Sequence, residues 1–195
     1  RVNSGETILV ETIDATGGMI KSEKDLPTPD RVPLSKANPQ SGPIFVENSE
    51  IGDTLIVKII RIEVTSVQGI TVLAPNFGGL VGNMYTRLLN DPLPPKTRIC
   101  PIEDGVVKFS NSISIPLEPM IGTIGVSPES EAISSLTSGP HGGNMDCPDI
   151  CVGNKLLLPV LTEGALLHLG DVHAVQGDGE ISGSAIDVSA KCTIQ

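Results

Sequence analysis

The clearest periodicity lies at the end of the chain, where Ile186, Val188, Ala190, Cys192 and Ile194 alternate with Asp187, Ser189, Lys191 and Thr193. A period of two predicts a strand with one buried and one wet face. The run 55–64, LIVKIIRIEV, is apolar at most positions and rich in β-branched residues, which predicts a central strand covered on both faces. Residues 7–13 form a third candidate. Asp104-Gly105, between Pro101-Ile102 and the run 106–109, predicts a two-residue hairpin turn. Gly5-Glu-Thr-Ile-Leu-Val10 resembles Gly52-Asp-Thr-Leu-Ile-Val57, and shared strand-entry turn chemistry explains six similar residues without duplication.

Between these elements lie three long stretches, 21–43, 74–96 and 127–149, punctuated by Pro, Gly, Ser or Asn. Loops of such length in a compact domain are usually functional or disordered. With 16 Pro and 21 Gly spread along 195 residues, no helical window has both a cap and a stop signal. The expected fold is a single domain over 1–195, mainly β, a distorted sandwich or jelly roll with long loops and little helix.

Composition narrows the function. Aromatics are only 2% of the chain, so Val, Ile, Leu and Ala must build the core. A net charge of -10, without a Lys/Arg cluster, excludes a phosphate-backbone partner, and four aromatics cannot supply a base-stacking platform, so no nucleic acid is expected. No apolar run approaches the roughly 18 residues of a membrane span and the first residues form no leader, so no membrane association is expected. The cysteines at 100, 147, 151 and 192 form neither paired CxxC motifs nor a dense framework, which predicts reduced thiols and a cytoplasmic location. A small apolar-rich β domain is compatible with a homodimer.

Two polar segments carry the candidate chemistry. In Gly139-Pro-His-Gly-Gly-Asn-Met-Asp146 two glycines let the backbone approach a ligand, while His141, Asn144 and Asp146 offer polar groups. Gly170-Asp-Val-His-Ala-Val-Gln-Gly-Asp-Gly-Glu180 puts three acids, one His and one Gln within eleven residues. On a strand Asp171 and His173 share a face, and a carboxylate beside an imidazole suits a divalent ion. A tight hairpin at Gly177-Asp178-Gly179 would return Glu180 beside them at the start of the last strand. His168, inside an apolar run, reads as a sheet histidine outside the site.

HGGNMD at 141–146 and GDVHAVQGDGE at 170–180 resemble the acetamidase/formamidase family. The likeness extends through SGETILVETIDATGG, SGPIFVENSEIGDTLIVKI and MIGTIGVSPE to nearly the whole chain. It implies a mainly β protein that hydrolyses small amides such as formamide or acetamide, with a divalent metal in the site. Position by position, the family's ligand-type residues fall on His141, Asp146, Asp171, His173 and Glu180. The expected mechanism has Asp146, Asp171 and His173 holding Zn, Glu180 as general base, and Asn144 or the Gly142 and Gly143 amides stabilising the oxyanion. The alternative is a non-catalytic β module whose acidic loops hold Ca, which prefers oxygen ligands to imidazole. The chain begins inside the family pattern and stops soon after its last motif, as a trimmed form would.

Overall fold

The computed structural model describes residues 1–74, 77–79 and 93–195. Most of the loop expected over 74–96 therefore lies outside the described residues. Elsewhere the chain forms fourteen strands and one short 3-10 turn, Leu34–Lys36, among the described residues. Four strands make a small antiparallel sheet in the order β1 (Ile8–Thr12), β14 (Ala190–Ile194), β3 (Thr54–Val64), β11 (Lys155–Pro159). The larger sheet runs from β7 (Ile113–Pro116) through β6 (Val106–Ser110), β5 (Lys96–Glu103) and β4 (Gln68–Leu73) to β13 (Asp187–Val188). It continues through β12 (Leu167–His173), β8 (Met120–Gly125) and β10 (Gly142–Asn144) to β9 (Ser138–Gly139), with β2 (Gln40–Ile44) also paired to β12.

The two sheets share one core. Val10, Val57, Ile59, Leu158 and Ile194 of the small sheet pack in a single cluster with Ile121, Ile124, Leu169, Val172 and Val188 of the large one. This is the expected sandwich of aliphatic residues, formed because each sheet has an apolar face to bury against the other. Among the described residues no helix is long and apolar enough to cross a membrane.

Several sequence expectations hold in detail. The first strand is β1, and Asp104 (φ 51) with Gly105 (φ 76) makes the turn between β5 and β6. Both positive angles are what a type I′ hairpin requires. Others need correction. The run 55–64 is not covered on both faces: Ile56 is 54% exposed and Lys58 is exposed beside it, because β3 belongs to the small sheet, which is packed on one side only. The stretches 21–43 and 127–149 are not wholly loop. The first ends in β2, and the second contains β9 and β10, whose glycines give little alternation to read.

The last strand differs most. Its alternation spans two sheets, because β13 pairs with β12 and β4 while β14 pairs with β1 and β3. The chain crosses from one sheet to the other at Ser189, a corner of the kind that joins packed sheets. Residues 181–186 are not strand, and Ile181 is 58% exposed. Ile186, Val188, Ala190, Cys192 and Ile194 are all buried as the alternation assigns them, but Asp187, assigned to the wet face, is buried as well, because β13 is an inner strand between β4 and β12 and the large sheet is covered on both faces there.

The core assignment has a direct consequence. Leu169→Ala, at a fully buried position of β12, should lower the unfolding free energy in urea by about 2–5 kcal/mol. Leu157→Ala, 61% exposed on β11, should stay within about 0.5 kcal/mol of the parent.

Candidate active site

β12 and β8 lie side by side, with Gly170 opposite Thr123 and Val172 opposite Ile121. Asp171, between those pairs, adopts φ 54, a left-handed conformation that Asp tolerates better than most residues. Asp171 and His173 meet, as expected, but through this local break rather than regular alternation: His173 Nε2 is 3.2 Å from Asp171 Oδ1. Gly122 of β8 faces the break. The chain leaving β10 donates two amides, Met145 N and Asp146 N, to the Gly122 carbonyl, which swings Asp146 (φ 45) in from the other side.

One oxygen each from Asp146 and Asp171 and one nitrogen from His173 lie within 4.8 Å of one another, a spacing able to surround a metal ion. Asp171 and His173 are buried and Asp146 is half-buried. Asp187 stands opposite His173 in the β12–β13 ladder, with Oδ1 3.4 Å from Nε2.

The imidazole is held from behind. Gln176 Nε2 donates to the Asp146 carbonyl at 2.5 Å, and since a carbonyl only accepts, Gln176 Oε1 must face His173 Nδ1, 2.8 Å away. Nδ1–H therefore donates to Gln176, leaving Nε2 toward the carboxylates. Such an orienting partner is typical of ligating histidines.

A second set of bonds fixes the carboxylates. Asn38, 2% exposed, presents Nδ2 to Thr123 Oγ1 (3.0 Å), Asn144 Oδ1 (3.0 Å) and Asp171 Oδ2 (3.3 Å). Thr123 Oγ1 also lies 3.1 Å from Asp171 Oδ2 and in close contact with Asn144 Oδ1. Asn144 Nδ2 donates to Asp146 Oδ2 at 2.9 Å. Asp146 Oδ1 is buried and receives no N–H or hydroxyl among the described residues.

Glu180 reaches this cleft, though not by the expected hairpin. β12 ends at His173 and its partner strand resumes at Asp187, so Gly177–Glu180 is a turn inside a long connection. Glu180 (φ 39) lies against Asp146 from there. Among the described residues eight non-glycine residues have left-handed φ, and four of them, Asn38, Asp146, Asp171 and Glu180, line this one cleft. Strained backbone concentrates where a functional arrangement requires it.

The electrostatics follow from four carboxylates around one imidazole. Burial raises the Asp146 carboxyl, and the Asp171 charge raises it further. Burial, then the Asp146 charge, pushes Glu180 up to about 7, so it can give or take a proton near neutrality. Asp187 lies well above the usual carboxylate range, first through burial. Burial alone would lower His173, but its hydrogen bond to Asp171 and the charges of Asp171, Asp187 and Glu180 outweigh that and raise it to about 10.

His141 is elsewhere. Its ring packs over Gly139 and Gly143 and lines a separate groove with Gln40 and His168, across the Thr123–Asn144 wall from the three-residue cluster. Gly142 and Gly143 are strand residues of β10 between β8 and β9. Sequence reasoning gave no role to Asn38, Thr123, Gln176 or Asp187. Only Gln176 carried a visible signal, lying inside the GDVHAVQGDGE motif.

The sequence matches the Acetamidase/Formamidase family over residues 1–138 and 129–195. A crystal structure of an acetamidase from Yersinia enterocolitica superposes with a TM-score of 0.91 at 42% identity, covering 99% of this chain and 59% of that one. The chain is also similar to a formamidase of Methylophilus methylotrophus, 24% identical over 231 residues, covering 93% of this chain and 56% of the relative. An acetamidase of Mycolicibacterium smegmatis is 25% identical over 236 residues, with 93% and 58% covered. The chain thus spans less than two thirds of the length of each of these relatives.

A Cβ at Gly122 would stand 2.8 Å from His173 Cε1 and from the Asp171 carbonyl, and 2.9 Å from Asp146 Oδ1. Gly122→Ala should therefore cost about 1–3 kcal/mol by overpacking. It should also reduce the melting-temperature gain on adding Zn²⁺, measured by calorimetry. Gly177→Ala, whose added methyl meets open space, serves as the control and should change neither quantity.

Proposed function

Because the chain belongs to the acetamidase/formamidase family, we propose that its cleft is the site of metal-assisted hydrolysis of a small amide to ammonia and a carboxylate. The observation carrying this reading is the convergence of Asp146, Asp171 and His173 on a point where a buried carboxylate oxygen lacks a donor. A buried anion without a partner is costly, and a cation answers that cost. The residues fit a divalent ion, and Asp146, Asp171 and His173 would hold it. Two oxygens and one imidazole nitrogen favour Zn over Ca, which prefers an all-oxygen shell.

A divalent ion there would supply Lewis acidity at the amide carbonyl and lower the pKa of water at the site from about 15.7 toward about 7. The chain's own groups do the rest. Glu180, held near 7 by burial and by Asp146, takes a proton from the attacking water and delivers it to the leaving nitrogen. Asn144 keeps Asp146 aimed through one N–H of Nδ2 and offers the other to the developing oxyanion. Gln176 fixes the His173 ring. Asp187 and Asp171 flank Nε2 and restrain its direction. The four cysteines are unpaired, which supports a reducing, cytoplasmic setting.

Purified protein should carry Zn detectable by mass spectrometry, and exhaustive chelation with verified metal loss should abolish ammonia release from formamide and acetamide. Full turnover after such removal overturns the metal-assisted mechanism. Glu180→Gln should keep the metal and lose about 10²–10⁴ in kcat. Metal loss in that variant would make Glu180 a ligand instead.

A further inference from the structure

The floor of the cleft is polar, but its walls are not. Besides Asn144, Asp146 and Glu180 the lining includes Ile20, Pro27, Val32, Leu34, Val72 and Phe77. The volume of this half-open cleft is about 560 Å³. Acetamide has four non-hydrogen atoms, on the order of 100 Å³ if each takes a water's share of about 30 Å³. The cleft is therefore several times larger than formamide or acetamide requires. It falls instead in the range that suits larger ligands with an apolar body and one polar end.

Charge restricts the other end of such a ligand. No Lys or Arg lines the cleft among the described residues, whereas Asp146, Asp171, Asp187 and Glu180 do. An anionic tail would meet repulsion from these four carboxylates, and a polar tail would lose water against Ile20 and Val72 with little in return. Leu34 is 66% exposed and Phe77 40% exposed, so large apolar side chains stand unburied at the rim, where a hydrocarbon group entering the cleft would cover them.

We propose that the amide hydrolysed here carries a neutral hydrocarbon acyl chain or ring larger than acetyl, seated against Ile20, Pro27, Val32, Leu34, Val72 and Phe77 with its carboxamide on the carboxylate floor. This rests on the amidase reading and adds the substrate class. In the reaction the oxygen of water forms the new carbon–oxygen bond and the carbon–nitrogen bond breaks. Both water protons end on nitrogen, giving carboxylate and ammonium.

The test is kcat/KM of the metal-replete protein across formamide, acetamide, butyramide, hexanamide and benzamide, with succinamate as the anionic probe. The specificity constant should rise about fourfold per added methylene from acetamide to hexanamide, equivalent to about 0.8 kcal/mol each, and succinamate should be the poorest substrate of its length. Leu34→Asn and Val32→Thr should flatten that slope. A flat series, or formamide or acetamide as the best substrate, overturns the proposal and leaves the amidase reading standing. No ammonia from any of these amides sinks both.

Discussion

The site depends on one electrostatic constraint: Asp146, Asp171, Asp187 and Glu180 crowd a single buried imidazole, and no Lys or Arg lines the cleft among the described residues. Two charges 4 Å apart interact by about 4 kcal/mol at an effective dielectric of 20, so several like pairs cannot stand uncompensated beside one His. The surrounding amides and hydroxyl relieve part of the load. Asn38 and Thr123 engage Asp171 Oδ2, Asn144 engages Asp146 Oδ2, and Gln176 engages His173 from behind. Asp146 Oδ1 remains without a donor among the described residues. What is left to supply is positive charge, as protons on the carboxyl groups and imidazole or as a metal ion. The upward displacement of Asp146, Glu180, Asp187 and His173 expresses the first solution. The donor geometry suits the second.

Backbone conformation is where the fold meets that constraint. A regular strand offers side chains to alternate faces, and three strands meeting side by side would not aim three carboxylates at one point. Left-handed residues at Asp171, Asp146 and Glu180 redirect each chain, at a cost of order 1–3 kcal/mol apiece. Gly122 makes the convergence sterically allowed, since the space its missing Cβ would occupy is already filled by Asp146, Asp171 and His173. A small residue in a fully buried strand therefore decides whether its acidic neighbours can meet.

The legibility of these features in the sequence follows their physical range. Local signals read well: the Asp104-Gly105 turn needs only two positive φ angles, and β1 needs only its own alternation. Asp171 and His173 were readable as a pair because two residues of chain hold them together whatever the exact backbone. Asp187 was not, since alternation assigns it to the wet face, whereas β13 is an inner strand of the large sheet covered on both faces, so that Asp187 and its neighbours Ile186 and Val188 are all buried. Asn38 lies in a Pro-rich segment with no periodicity, and its four acceptor neighbours come from residues 85 to 133 positions away. The family likeness carried His141 into the ligand set with Asp146, but β10 separates them. His141 faces the neighbouring groove and Asp146 the cleft, because the two lie at opposite ends of the strand.

The strand that turns the corner ties the site to the rest of the molecule. Asp187 and Val188 belong to the large sheet, while Ala190, Cys192 and Ile194, on the strand that begins two residues further on, are buried in the small one. One short segment thus places a site carboxylate beside His173 and completes the core between the sheets. β14 pairs with both β1 and β3, so releasing Asp187 by more than a local adjustment would disturb the centre of the small sheet. Charge burial at the site and packing of the sandwich are then one cooperative event. Whatever cation relieves the repulsion favours the folded state over the unfolded one by mass action. On this argument an ion held by Asp171 and His173 of the large sheet and by Asp146 just beyond β10 would raise the stability of the small sheet as well.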